Sequence, residues 1–269
     1  MFEILALEFF QRSLLVGSLL AVVLAFLGVF VVLRRLSFFS DAIGHSALTG
    51  IAIGLILSIN PFLSAVAFAL LVAVLIVIVR SKSRLAIDTL LGIFFPTAVS
   101  FGVILVYLTP GYQTDLISFL FGDIITVSTS DIVMSSVLLA TVVVLLFFAG
   151  KALISITLNS DLAKAEGIPV TRYELMFLLV LAGAIALSIK LVGIVLVTAM
   201  LVIPAATAQN MARSLATLFS ISVLVALITV ISGMITSAVA HLPSGPVIII
   251  IGAGLFTLSL FLRPFLKHI

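Results

Sequence analysis

The sequence predicts an all-α protein that crosses a membrane about nine times. Three observations carry that prediction. Of 269 residues, 64% are hydrophobic and only 9% are charged, against roughly 45–50% and about 25% in an ordinary soluble domain. The apolar residues are gathered into runs close to the roughly 20 residues that a helix needs to cross hydrocarbon. These runs are continuous and lack the in-out alternation of a membrane-barrel strand, and helices satisfy their own backbone hydrogen bonds in lipid.

In order, the runs are Ser13 to Leu33, Ala42 to Ile59, Phe62 to Val79, Leu90 to Leu108, Ile132 to Gly150, Leu175 to Ile189, Leu191 to Ala208, Leu215 to Ala240 and Val247 to Leu262. The sixth and ninth are short. A re-entrant hairpin around Ser188-Ile189-Lys190 would reduce the count to eight. The first run is too long for the apolar core of a signal peptide, and Glu3 and Glu8 precede it instead of a basic cluster. Arg34-Arg35 stands where a cleavage site would have small residues, so this run is predicted to be a retained span. No linker, low-complexity tract or long polar loop divides residues 1–269, which read as one membrane domain.

Lysine and arginine collect in cytoplasmic loops, and their placement predicts sidedness. With the N-terminus outside and the C-terminus inside, Arg34, Arg35, Arg80, Lys82, Arg84, Lys151, Lys164, Arg172, Arg213, Arg263 and Lys267 all lie inside, eleven of the thirteen basic residues. Only Arg12 and Lys190 fall outside. The stretch Arg80 to Arg84 reads as a solvated, lipid-facing or partner-facing charge cluster. The inner connection Leu158 to Arg172 carries signals for a short helix. Asn159 or Ser160 can cap it, Asp161 suits its positive end, and Gly167 with Pro169 ends it.

Polar residues inside spans are costly and mark pathways or packing needs. Asp41 and His45 open the second run four residues apart, so they share a helical face where a carboxylate and an imidazole can hold one divalent cation. The same spacing also allows Ser40 or Asp41 to cap the helix while His45 packs. Gly44, Ala47, Gly50 and Gly54 would let neighbouring helices approach closely. His241 and His268 sit at span edges and read as edge residues. The chain has no cysteine, which excludes disulfides, thiolate nucleophiles and cysteine metal sites.

No catalytic constellation is present. A Ser-His pairing or a His-Glu-x-x-His helix is missing, and so is the Gly-x-x-x-x-Gly-Lys-Ser/Thr loop that cradles nucleotide phosphates. Gly150-Lys151-Ala152 does not substitute for it. The chain is expected to transport and not to catalyse. Uphill transport then needs ATP hydrolysis on another chain or, as the alternative, a proton gradient relayed through Asp and His in a secondary carrier.

Four blocks in order and at fitting spacing resemble the permease of metal-ion ABC importers, the family that takes up zinc, manganese or iron. They are Arg34-Arg35-Leu36-Ser37-Phe38-Phe39-Ser40-Asp41-Ala42-Ile43-Gly44-His45, Ala86-Ile87-Asp88-Thr89-Leu90-Leu91-Gly92, Leu120-Phe121-Gly122-Asp123-Ile124, and Val192-Gly193 with Ile203-Pro204-Ala205-Ala206-Thr207-Ala208. The resemblance covers nearly the whole chain and is closest to zinc-type members. It implies a multi-pass subunit of a prokaryotic plasma membrane, with Asp41 and His45 as metal contacts on the translocation path. It also implies that Asp161, Leu162, Ala163, Lys164, Ala165, Glu166 and Gly167 form the coupling helix that docks on the ATPase. Asp88 and Asp123 are left as capping or packing residues. The implied partners are a second permease copy, two cytoplasmic ATPase subunits and an extracytoplasmic metal-binding protein, with no nucleic acid. The divalent metal, zinc foremost, is cargo, no cofactor is held permanently, and ATP binds only the partner subunit.

Overall fold

The computed structural model describes residues 7–83, 85–108 and 127–266, of which the side chains of Val106 and of residues 262–266 are excepted. These residues form ten helices. They are α1 (Glu8–Leu33), α2 (Ser37–Ile56), α3 (Pro61–Lys82), α4 (Ile87–Tyr107), α5 (Thr129–Leu158), α6 (Ser160–Ala165), α7 (Val170–Val192), α8 (Ile194–Met211), α9 (Leu215–Ala240) and α10 (Ser244–Leu266). All except α6 are long and apolar enough to cross a membrane, which gives nine spans among the described residues. Within them α1, α2 and α7 are the most enclosed helices, while most of α4, α5 and α10 is exposed at the periphery.

Each predicted span has its helix, but several ends differ. α2 starts at Ser37, five residues before the predicted Ala42, because α1 and α2 are joined by a tight turn. Arg35 takes a left-handed backbone (φ 55°). Its N–H bonds the Val32 carbonyl at 3.2 Å and that of Leu36 bonds Val31 at 2.8 Å, a helix-ending pattern that leaves Leu36 ready to start the next helix. α5 runs past Lys151 to Leu158 and has 30 residues, roughly 45 Å of helix against about 30 Å of hydrocarbon. Its last turns still pack on the bundle, with Leu153 and Ile156 buried, and α6 follows directly at Ser160. α7 begins at Val170 and continues unbroken through Lys190 to Val192, so the short sixth run becomes a full span. The break falls at Gly193 (φ 78°, ψ 161°), a conformation essentially restricted to glycine.

Close packing uses the predicted small residues. A Cβ on Gly50 would lie 2.7 Å from the Ala65 Cα and the Ser64 carbonyl, and one on Gly54 2.8 Å from the Pro61 Cα. These glycines seat α3 directly on the backbone of α2, as small residues do between helices in membranes. Gly44 faces the α7–α8 break, where a Cβ would meet the Ile194 Cγ2 at 2.9 Å.

Ion pairs identify the two ends of the bundle. At one end Arg34, Arg80 and Glu174 meet. At the other, Lys190 binds the buried Asp131 at 3.0 Å and lies 5.5 Å from the centre of the Phe62 ring. Ser128 and Asp131 cap α5 reciprocally, which fixes that carboxylate for Lys190.

Candidate metal contact and coupling helix

α2 presents Asp41 and His45 one turn apart on a partly open face, while the intervening Ala42, Ile43 and Gly44 are buried. Asp41 is not a cap. α2 is preceded by Leu36, which makes no side-chain cap, and the Ser40 hydroxyl donates to the Ser37 carbonyl at 2.8 Å. Asp41 instead accepts a hydrogen bond at 3.0 Å from Thr198 Oγ1 on α8. That bond occupies Oδ1 and orients the carboxylate, with Oδ2 left for another partner. The His45 ring meets Phe95 of α4 edge-on, with centroids 5.0 Å apart and planes at 73°, which restrains the imidazole from its other side.

Together the two residues offer one carboxylate and one imidazole, the donor set that suits zinc, manganese or ferrous iron. Among the described residues no group of three or more His, Cys, Asp or Glu gathers to hold a metal. At this position the described residues of one copy bring two such side chains, fewer than the four protein ligands of a closed zinc site.

Thr198 was not expected from the sequence. A threonine in an apolar helix ordinarily returns its hydroxyl to the carbonyl four residues back, as Thr207 and Thr229 do here. Thr198 breaks that pattern because α8 starts beside Gly44 and brings its second turn against Asp41.

α6 forms where its capping signals predicted. Asn159 Oδ1 accepts from the N–H groups of Asp161 and Leu162, both at 3.0 Å. At the other end Gly167 has φ 81°, and the N–H groups of Gly167 and Ile168 bond the carbonyls of Lys164 and Ala163, both at 3.0 Å. Ala163 packs against Ile156 and Val170, whereas Asp161, Leu162, Lys164, Ala165, Glu166 and Gly167 are exposed. The Asp161–Lys164 ion pair at 3.3 Å is exposed to water and contributes little.

Of the remaining predicted positions, Arg80 is partly exposed and its Nη1 also reaches Glu174 Oε1 at 3.2 Å, while Lys82 is exposed. Asp88 is exposed in the first turn of α4, where its charge suits the helix N-terminus. His241 closes α9 with a left-handed backbone. Arg84, the Leu120 to Ile124 block with Asp123, and His268 lie outside the described residues.

The chain is 37% identical over 263 residues to the high-affinity zinc uptake system membrane protein ZnuB of Haemophilus influenzae, covering 98% of this chain and 99% of that one. It is 30% identical over 264 residues to the manganese transport system membrane protein MntC of Halalkalibacterium halodurans, covering 97% and 90%. The solved structure of PsaBC from Streptococcus pneumoniae in complex with Fab superposes with a TM-score of 0.84 at 30% identity, covering 98% of this chain and 95% of that chain. The ABC 3 transport family matches residues 6–263, and the chain belongs to that family of multi-pass ABC transporter membrane proteins.

Proposed function

We propose that this chain is the permease of an ATP-driven importer of divalent metal, with zinc as its cargo. The observation that carries this reading is the partly open α2 face on which Asp41 and His45 stand one turn apart, with Asp41 oriented by Thr198. Higher identity to a zinc uptake relative than to a manganese relative supports the choice of metal. Residues 1–269 act as one domain with the N-terminus outside, which puts the Arg34, Arg80 and α6 end of the bundle in the cytoplasm.

Two copies related by a two-fold axis each contribute Asp41 and His45 to one way-station. Pairing supplies four side-chain ligands where one copy has two. A transport site must also release its ion. Thr198 and Phe95 hold these ligands from α8 and α4, so relative movement of those helices changes the ligand geometry. ATP is hydrolysed on two separate cytoplasmic subunits that dock on Asp161 to Gly167, and a metal-binding protein delivers the ion on the outer side.

The test is zinc uptake into proteoliposomes that hold this permease with its ATPase and binding protein. Uptake should require ATP and the ATPase and should be indifferent to a proton gradient. Uptake driven by a proton gradient without the ATPase would reverse the reading in favour of a secondary carrier.

A further inference from the structure

One buried carboxylate ties the α6 end of the chain to the metal-contact helix. Glu174 lies in the second turn of α7, and its Oε1 receives Arg34 Nη2 at 2.5 Å and Arg80 Nη1 at 3.2 Å. The Glu174 and Arg34 side chains are 13% and 8% exposed, so water screens this pair poorly. Arg34 is also held at 5.4 Å over the centre of the buried Phe177 ring, and its Nη1 is buried with no protein partner. Among the described residues, the ion pair of Arg34 is with Glu174. Burial draws the Arg34 guanidinium below its usual pKa, and the Glu174 charge opposes that effect.

The three residues occupy positions that matter for transmission. Ala163 of α6 packs with Ile156 and Val170, so α6, the last turn of α5 and the first turn of α7 are joined by one apolar contact. Glu174 is four residues beyond Val170. Arg34 ends α1 and enters the tight turn that starts α2, seven residues before Asp41. That turn is closed by the Arg35 and Leu36 backbone bonds and by the buried Leu36, so a displacement of Arg34 is passed to α2 with little slack. Arg80 brings in the end of α3, which is seated on the glycines of α2.

We infer that Glu174 is a positioning residue for transport, carrying movement of the ATPase-facing helix α6 through Arg34 and Arg80 to Asp41 and His45. This inference rests on the reading of α6 as the coupling helix. A purely architectural ion pair would set how much complex assembles, whereas a transmitting pair sets how much metal moves per ATP. Contact along a route does not by itself demonstrate coupling, so the ratio is the quantity to measure.

The experiment uses the assembled permease, ATPase and binding protein in proteoliposomes, with zinc uptake and ATP hydrolysis read on matched amounts of complex. Glu174→Gln should hydrolyse ATP yet move about tenfold less zinc per ATP, within the range of ordinary coupling energies. Where Glu174→Gln fails to assemble, Glu174→Asp takes its place. It keeps the charge but withdraws the carboxylate by one methylene, and a lowered ratio is again expected. An unchanged ratio in whichever variant assembles overturns the inference. Gly167→Ala is run alongside. If it uncouples while the Glu174 variant moves zinc normally, only the role of Glu174 fails, and if both are normal the reading of α6 fails as well.

Discussion

Thr198 and Asp41, 157 residues apart in sequence, are joined by a 3.0 Å hydrogen bond between α8 and α2. A hydroxyl donating to a carboxylate contributes about 1.5–3 kcal/mol. Thr198→Val, which keeps the shape and removes the donor, should therefore weaken metal binding by about tenfold or more, and Thr198→Ser should restore most of it. Equilibrium dialysis of zinc against the purified complex gives the comparison. Equal binding by the Val variant would mean that the bond does not set the carboxylate for metal.

Gly50 should be among the least tolerant glycines of the bundle. Its missing Cβ would overlap the Ala65 and Ser64 backbone at 2.7 Å, while a Cβ on Gly92 meets nothing within 4 Å. Overpacking of this kind costs about 1–3 kcal/mol. Gly50→Ala should lower the thermal unfolding midpoint of the detergent-solubilised permease, and Gly92→Ala should leave it within error. Equal midpoints for the two would contradict the close α2–α3 approach.

Gly167 should report backbone conformation and not packing. It has φ 81° with open space around its Cβ direction, so Gly167→Ala meets only the left-handed penalty of about 1–2 kcal/mol. That penalty falls on the exposed end of α6 and not on the packed spans, so the bundle should unfold at its normal temperature while zinc moved per ATP declines. A parallel fall in thermal stability would assign Gly167 to the fold and not to coupling.

The centres of the spans were legible because lipid demands long apolar runs, and all nine have helices. Their ends were less so. Ser37, Ser40 and Asp41 read as a polar lead-in before Ala42 but are helical, since the Arg35 turn starts α2 early. Lys151 looked like the end of the fifth span, yet α5 continues past it beyond hydrocarbon thickness. The shared face of Asp41 and His45 follows from four-residue spacing, and the limits of α6 follow from Asn159 and Gly167. What the sequence conceals is contact at long range. Glu174 and Arg34 each look like ordinary loop-side charges, and Thr198 looks like any threonine in an apolar helix. Only the packing of α7 against the α1–α2 turn, and of α8 beside Gly44, brings them to their partners.

The proposed metal contact of Asp41 and His45 is tested by the zinc content and zinc uptake of the purified, reconstituted complex with Asp41→Ala and His45→Ala made singly. Asp41 caps no helix and His45 is partly open, so both variants should assemble. Each should lose bound zinc and lower uptake by at least about tenfold, the effect of removing one ligand's worth of roughly 1.4 kcal/mol or more. Normal zinc content and normal uptake in both variants would mean that Asp41 and His45 do not hold the metal.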